Sequence, residues 1–183
     1  MAWVDPSITT SFTDANWGPQ NASKPNPTHP QTISLESTRS LYGYINFRSC
    51  GPISWGVFRE KETSRSSCEA EIKAVDEATK SILELRHISS DLNLPEIQTP
   101  TPMYNDNQGT IDWSHTHSIS KKLRHLNIRE NAVRDSIMAK TIALQHIEGK
   151  KNPADLFTKE HKDSHHFIAL RDCVVSPRVR GGC

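Results

Sequence analysis

The stretch from Ser66 to Val75 (Ser-Ser-Cys-Glu-Ala-Glu-Ile-Lys-Ala-Val) begins a helix with a carboxylate where an apolar residue belongs. Ser66 followed three residues later by Glu69 is a capping-box pattern, which satisfies two backbone N–H groups left without partners at a helix start. From there the residues at helical spacing are Glu71, Ala74, Val75, Ala78, Ile82 and Leu85. That is a core-facing stripe, and its first member is charged. A carboxylate at the head of a buried stripe is costly unless something compensates it. A metal ion is one candidate, and the chain carries further acids to share it. The helix is expected to run to about His87, or to Leu92 with fraying.

Before that helix, Ser7 to Thr13 is rich in β-branched residues and reads as a strand with Asp14 at its C-terminal end. Residues 18–38 carry four prolines, at 19, 25, 27 and 30, with little apolar periodicity. They read as a loop insertion. Leu41 to Phe47 and Ile53 to Phe58 form an expected antiparallel hairpin about the turn Ser49-Cys50-Gly51-Pro52. A charged link, Arg59 to Arg65, leads into the helix at Ser66.

After it, Pro95 to Pro102 reads as a connector, and Met103-Tyr104 as a short strand ending at Asn105-Asp106. A helix follows from Gln108 to about Trp113. Strand–helix–strand order favours a parallel pairing. Lys121 to Asp135 reads as a basic helix. Residues 121–151 hold eight Lys/Arg against three Asp/Glu, in a chain whose net charge is only +1. Thr141 to Ile147 is the last expected strand. Asn152-Pro153 reads as N-cap and first residue of a helix, which puts Asp155 in its first turn. His165 to Val174 is a further short helix, and 176–183 a flexible tail.

The 183 residues suit one domain with a real core, spanning 1–175. A mean hydropathy of −0.62 is polar but not that of a disordered chain. The near-neutral total gives no global field for nucleic acid or membrane, and no apolar run approaches the ~20 residues of a membrane span. Cys50, Cys68, Cys173 and Cys183 include no CxxC pair and read as reduced thiols of an intracellular protein. The first residues read as a start methionine on an internal segment, not a targeting peptide.

Asp14, Glu71, Asp106 and Asp155 are the constellation that carries chemistry. Three lie near strand ends or at a helix start, where open α/β sheets place their sites. Each alone has a plainer reading: Asp14 as a turn residue, Glu71 at a solvated helix edge, Asp106 as a helix cap, Asp155 as a carboxylate complementing a helix dipole. Four carboxylates converging without lysine partners would repel strongly, so they imply divalent cations. Hard oxygen ligands suit Mg²⁺, with Mn²⁺ as a substitute, rather than zinc. Two such ions ~3.5–4 Å apart can activate a water and stabilise a leaving oxygen in phosphodiester cleavage. The nine histidines, among them His115, His117 and His125 or His161, His165 and His166, supply only partial zinc sets.

These residues resemble the ribonuclease H domain that follows reverse transcriptase in the polyprotein of copia-type long-terminal-repeat retrotransposons. The matching motifs begin with Phe12-Thr-Asp-Ala-Asn-Trp17, Gly51-Pro-Ile-Ser-Trp55 and Ser66-Ser-Cys-Glu-Ala-Glu71. Tyr104-Asn-Asp-Asn-Gln-Gly109, Lys122 to Glu130 and Asn152-Pro-Ala-Asp-Leu-Phe-Thr-Lys159 follow in the family's order. Together they cover about residues 8–172. The resemblance implies an α/β, ribonuclease H-like fold: a five-stranded mixed sheet flanked by helices on both faces. It implies hydrolysis of the RNA strand of RNA–DNA hybrids with two Mg²⁺ during reverse transcription. Its acids fall on Asp14, Glu71, Asp106 and Asp155, with Glu69 left as the capping residue.

The implied partners are the hybrid and the adjoining reverse transcriptase, with no membrane, a monomeric isolated domain, and a cytoplasmic, virus-like-particle or nuclear setting. Within such a fold, Lys121, Lys122 and Arg124 would contact hybrid phosphates, making binding salt-sensitive. Ser66, Ser67, Asn107 and Gln108 would reach phosphate or ribose hydroxyl groups; they read equally well as helix caps. Trp17 and Trp55 read as core or rim packing.

Two features depart from the family pattern: the 18–38 insertion, and the short Glu148-Gly-Lys-Lys-Asn152 loop. That loop lacks the mobile histidine of cellular ribonucleases H, and His146 sits on the strand instead. They keep a rival open, a non-catalytic module that binds nucleic acid or supports the polymerase. An integrase-type nuclease fold with three acids fits the hairpin order and the Asn-Pro-Ala-Asp helix start less well.

Overall fold

The computed structural model describes residues 8–17, 39–49, 51–61, 64–115, 124–161 and 163–175, with the side chains of 95–96 and 124–130 outside that description. Five strands form one sheet: β1 (Thr10–Asn16), β2 (Leu41–Arg48), β3 (Gly51–Arg59), β4 (Thr101–Asn105) and β5 (Ile142–His146). Their order across the sheet is β3-β2-β1-β4-β5. The β1–β2 and β2–β3 pairs are antiparallel, and β1–β4 and β4–β5 are parallel. The expected hairpin, the parallel crossover and the mixed five-stranded sheet are all present. The insertion at 18–38, Lys121, Lys122, Cys50, His117 and the tail from Ser176 lie outside the described residues, and so does the side chain of Arg124.

Helices cover both faces. The chain adds α1 (Ser67–Asp91), α2 (Gln108–His115), α3 (Arg124–Met138), α4 (Asp155–Thr158) and α5 (Ser164–Val175). The α1 stripe is where its periodicity places it: Ala74, Val75, Ala78 and Ile82 are fully buried. With Met103, Ile111, Val133, Ile142 and Leu144 they fill the core between the sheet and α1, α2 and α3. The opposite face carries a smaller core of Phe12, Ile45, Phe47, Ile147 and Ala154. Phe157 and Val174 lean on it from α4 and α5. Alternation along each strand divides its side chains between these two cores. On the outer face of edge strand β3, Ile53, Trp55 and Val57 are exposed, so Trp55 is not a core residue.

Local chemistry sets the start of α1. The hydroxyl of Ser66 accepts the Glu69 N–H (3.1 Å), and the Glu69 carboxylate reaches back to the Arg65 N–H (2.8 Å). The reciprocal cap is therefore shifted one residue from the expected box, because the returning carboxylate takes the N–H before Ser66. The link from β3 into α1 closes on a buried glutamate. Glu60 accepts the Ser64 N–H (3.0 Å) and pairs with Lys73 (2.8 Å), which also reaches Glu69 at 3.2 Å. Burial alone would raise the Glu60 pKa; the Lys73 ammonium and the Ser64 hydroxyl outweigh it and hold it below the usual glutamate value.

Removing this charge leaves Lys73 short of a partner. Glu60→Gln should lower stability by about 2–3 kcal/mol at neutral pH, less than a fully buried pair because Lys73 keeps some solvent contact. The folded-state pKa is depressed, so the contribution is complete above the unfolded value and is lost as pH falls through the folded one. The gap between wild type and Glu60→Gln in urea unfolding should therefore be wide at pH 7 and shrink well below pH 4.5.

Candidate functional site

The site forms where the central parallel pair comes apart. β1 and β4 are paired at Ser11–Met103 and Phe12–Tyr104. Asp14 and Asp106 stand two residues further on, past the end of that ladder. β1 continues on its other side against β2, with Asp14 opposite Gly43. Asp14 therefore lies inside its strand, not at its end as the sequence reading has it. The opening between β1 and β4 lets side chains from both faces of the sheet meet, as at the switch point of an open α/β sheet.

Four acids line this opening. Asp14 is fully buried, Glu71 and Asp155 nearly so, and the Asp106 side chain is 19% exposed. One carboxylate oxygen from each of Asp14, Glu71 and Asp106 lies within 4.8 Å of the others. Asp155 joins from the first turn of α4. Its carboxylate is linked to Asp14 and Asp106 through Lys159, one helical turn on. The Lys159 ammonium lies 2.9 Å from Asp155, 3.0 Å from Asp14 and 3.4 Å from Asp106. The expectation of a cluster without a lysine partner is therefore corrected. Lys159 is the residue that the sequence reading missed, and its i,i+4 spacing from Asp155 was the available signal.

Neutral side chains fix the acids. The Asn105 amide donates to Glu71 (2.8 Å) and to the Thr13 hydroxyl (3.0 Å). The Thr158 hydroxyl donates to Asp14. The Asn16 amide ties the end of β1 to the Thr158 carbonyl (3.0 Å), and the Asn152 amide ties Thr13 O to the start of α4 (2.8 Å). Asn152 does cap a turn, accepting the Ala154 N–H at 3.1 Å, but the helix itself begins at Asp155 with Ala154 as its N-cap. Gly149 passes against Asp106: a Cβ there would lie 2.9 Å from its carboxylate oxygen.

Burial and mutual repulsion dominate the electrostatics. Desolvation pushes the Asp14 carboxyl up to about 7, against the pull of Lys159 and with Asp155 adding to the rise. Burial, followed by the charge of Asp14, raises Glu71 well above the usual value. Burial raises Asp155 as well, with Lys159 opposing. Desolvation would lower the Lys159 pKa, but the surrounding carboxylates prevail and raise it. Such a site asks for cationic charge.

Of the expected substrate-contact residues, the side chains of Ser66, Ser67, Asn107 and Gln108 are described, at the starts of α1 and α2. Ser66 caps α1, and Ser67 is exposed on its first turn. The Asn107 carboxamide accepts the Thr110 N–H (3.2 Å), and Gln108 donates to Asp112 (2.8 Å). The starts of α1 and α2 are neighbours, with the Cys68 sulfur 3.7 Å from the Thr110 hydroxyl. Trp17 donates its indole N–H to Ser64 O (2.8 Å) and is half exposed, a rim position. Among the described residues, the histidines form no metal-ligand group.

No family model matches the chain. In sequence it is 29% identical over 125 residues to the Retrovirus-related Pol polyprotein from transposon TNT 1-94 of Nicotiana tabacum, a match covering 68% of this chain and 9% of that protein. It is 24% identical over 120 residues to the Pol polyprotein from transposon RE2 of Arabidopsis thaliana, covering 66% and 8%. The chain thus spans less than a tenth of the curated relatives it matches. Among solved structures it resembles LC11-RNase H1, isolated from compost by a metagenomic approach (TM-score 0.55, 14% identity, 83% of this chain and 93% of that one). The LC11-RNase H1 complex with an RNA/DNA hybrid gives a TM-score of 0.53 at 13% identity, covering 82% and 93%. The protease-reverse transcriptase of prototype foamy virus gives 0.50 at 17% identity, covering 92% of this chain and 20% of that one.

The Asn105 bridge holds Glu71 and Thr13 with one buried amide. Asn105→Ala should lower stability by about 1–3 kcal/mol, the cost of stranding buried polar partners. Equilibrium urea unfolding at neutral pH measures it.

Proposed function

We propose that this ribonuclease H domain of a retrotransposon polyprotein is a metal-dependent nuclease that hydrolyses the RNA strand of RNA–DNA hybrids during reverse transcription. The observation that carries the reading is the convergence of Asp14, Glu71 and Asp106 within 4.8 Å, with Asp155 alongside, at the opening between β1 and β4. The donor set fits a hard divalent cation: all ligands are carboxylate oxygens, all but Asp106 are buried, and an ammonium already pairs with three of them. Asp14, Glu71, Asp106 and Asp155 are the residues that would hold two Mg²⁺ ions.

When bound, those ions supply an activated water and charge stabilisation for the departing 3′-oxygen, leaving 5′-phosphate and 3′-hydroxyl ends. The chain's own groups do the positioning. Asn105 aims the Glu71 carboxylate, Thr158 aims Asp14, and the close pass of Gly149 sets the seat of Asp106. Ser66 and Ser67 at the start of α1, with Asn107 and Gln108 at the start of α2, take the sugar–phosphate backbone near the acids. Lys121, Lys122 and Arg124 add phosphate contacts that weaken with salt. The foamy virus neighbour carries this fold within a protease-reverse transcriptase chain, which supports an adjoining polymerase as partner. The order of the six motifs supports the copia type.

Lys159 also gives the rival reading some support, since three of the four acids already have a cationic partner. A non-catalytic module would bind hybrid in EDTA and never cut it.

Incubation with a labelled RNA–DNA hybrid and Mg²⁺ separates the two. The nuclease cuts only the RNA strand of the hybrid, and chelation stops it. Asp106→Asn should lower the rate by more than the roughly 100-fold typical of losing an outer-shell partner. An unchanged rate in that variant would sink the proposal. Gly149→Ala should keep stability within about 0.5 kcal/mol, because only a side-chain tip has to move. It should still slow cleavage about tenfold by unseating Asp106.

A further inference from the structure

We propose that Lys159 is the resident counter-ion of this site: its ammonium holds Asp14, Asp106 and Asp155 together in the metal-free protein and must withdraw for divalent cations to load fully. The inference rests on the metal-binding reading above. It adds a competitor that sets how much cation the site requires.

The geometry divides the acids unevenly. Lys159 pairs with Asp14 Oδ1, Asp106 Oδ2 and Asp155 Oδ1, at 3.0, 3.4 and 2.9 Å. Glu71 is the acid held instead by a neutral donor, the amide of Asn105. The three acids close enough to share one ion are Asp14, Glu71 and Asp106. Lys159 therefore draws on two carboxylates of that trio and spans from them to Asp155. A cation seated between Asp14 and Asp155 would compete directly for the oxygens that the ammonium now uses.

The Lys159 side chain is 36% exposed, whereas Asp14 is fully buried, so the lysine is the more solvent-accessible member of the pair. Its four-carbon stem carries a point charge with no fixed plane. It can rotate away while the backbone, in the residue after the short α4, stays in place. Exchange of one positive charge for two then relieves more of the repulsion among the acids. Linkage makes the two roles inseparable: the ion pairs that stabilise the metal-free fold are the ones that cation binding has to break.

The test uses the full chain, as wild type, Lys159→Met and Lys159→Gln. Mn²⁺ binding is followed by the electron paramagnetic resonance signal of the free ion. Thermal unfolding is recorded in EDTA and in Mg²⁺. The variants should half-saturate at roughly tenfold lower Mn²⁺, within the usual range of coupled sites. They should also unfold at lower temperature in EDTA and gain more from Mg²⁺ than the wild type does. A merely structural lysine would lower the unfolding temperature without tightening Mn²⁺. Should Lys159→Met not fold in EDTA, Lys159→Gln, which retains a hydrogen-bond donor, carries the titration. Folded variants that bind Mn²⁺ no more tightly than a metal-binding wild type overturn the inference alone. If neither wild type nor variants bind Mn²⁺, the metal reading fails and the inference falls with it.

Discussion

Repulsion among carboxylates withdrawn from water is the constraint to which the rest of this structure answers. Asp14 is fully buried, with Glu71 and Asp155 nearly so, and ionising them together in a medium of low polarisability is expensive. The fold meets that cost with oriented donors: the amide of Asn105, the hydroxyl of Thr158 and the ammonium of Lys159. The two hydrophobic cores hold α1 on one face and α4 on the other, so that these donors arrive in register. An apolar replacement at Asp14, Glu71 or Asp155 would strand the donors that now serve it: Thr158 and Lys159, Asn105, or Lys159 respectively.

The parting of β1 and β4 is the geometric counterpart of that constraint. A ladder continued past Phe12 and Tyr104 would keep the side chains of one face from those of the other. Because it stops, Asp14 meets Glu71 from α1, and Asp155 and Thr158 approach from the opposite side. Asn105 and Asn152 take over at that point, their amides holding β1 through Thr13 in place of strand pairing.

Much of this was legible in the residues. Glu71 stands out because helical periodicity assigns it a buried position, and the structure buries it. The hairpin, the crossover and the start of α1 at Ser66 follow from turn chemistry and alternation. What escaped has physical reasons. β propensity puts Asp14 at a strand end because it marks where a strand is plausible, while hydrogen bonding to β2 decides where it stops. Asn152 caps a turn through its side-chain oxygen, and its amide also reaches Thr13, 139 residues away in sequence, a contact that no local pattern encodes. Lys159 was overlooked for the same reason. Its spacing from Asp155 is local, but its contacts with Asp14 and Asp106 exist only once the sheet is assembled.

The bond from Thr158 to Asp14 spans 144 residues, and the acids themselves are scattered from near the start of the chain to near its end. Contacts so distant in sequence form late, because closing the intervening loops costs entropy before any contact rewards it. During synthesis from the N-terminus, the hairpin and α1 can dock while α4 is still inside the ribosome. The nascent chain therefore exposes an incomplete set of acids and no Lys159. The centre closes only when the last segment arrives, which ties its competence to completion of translation through this region.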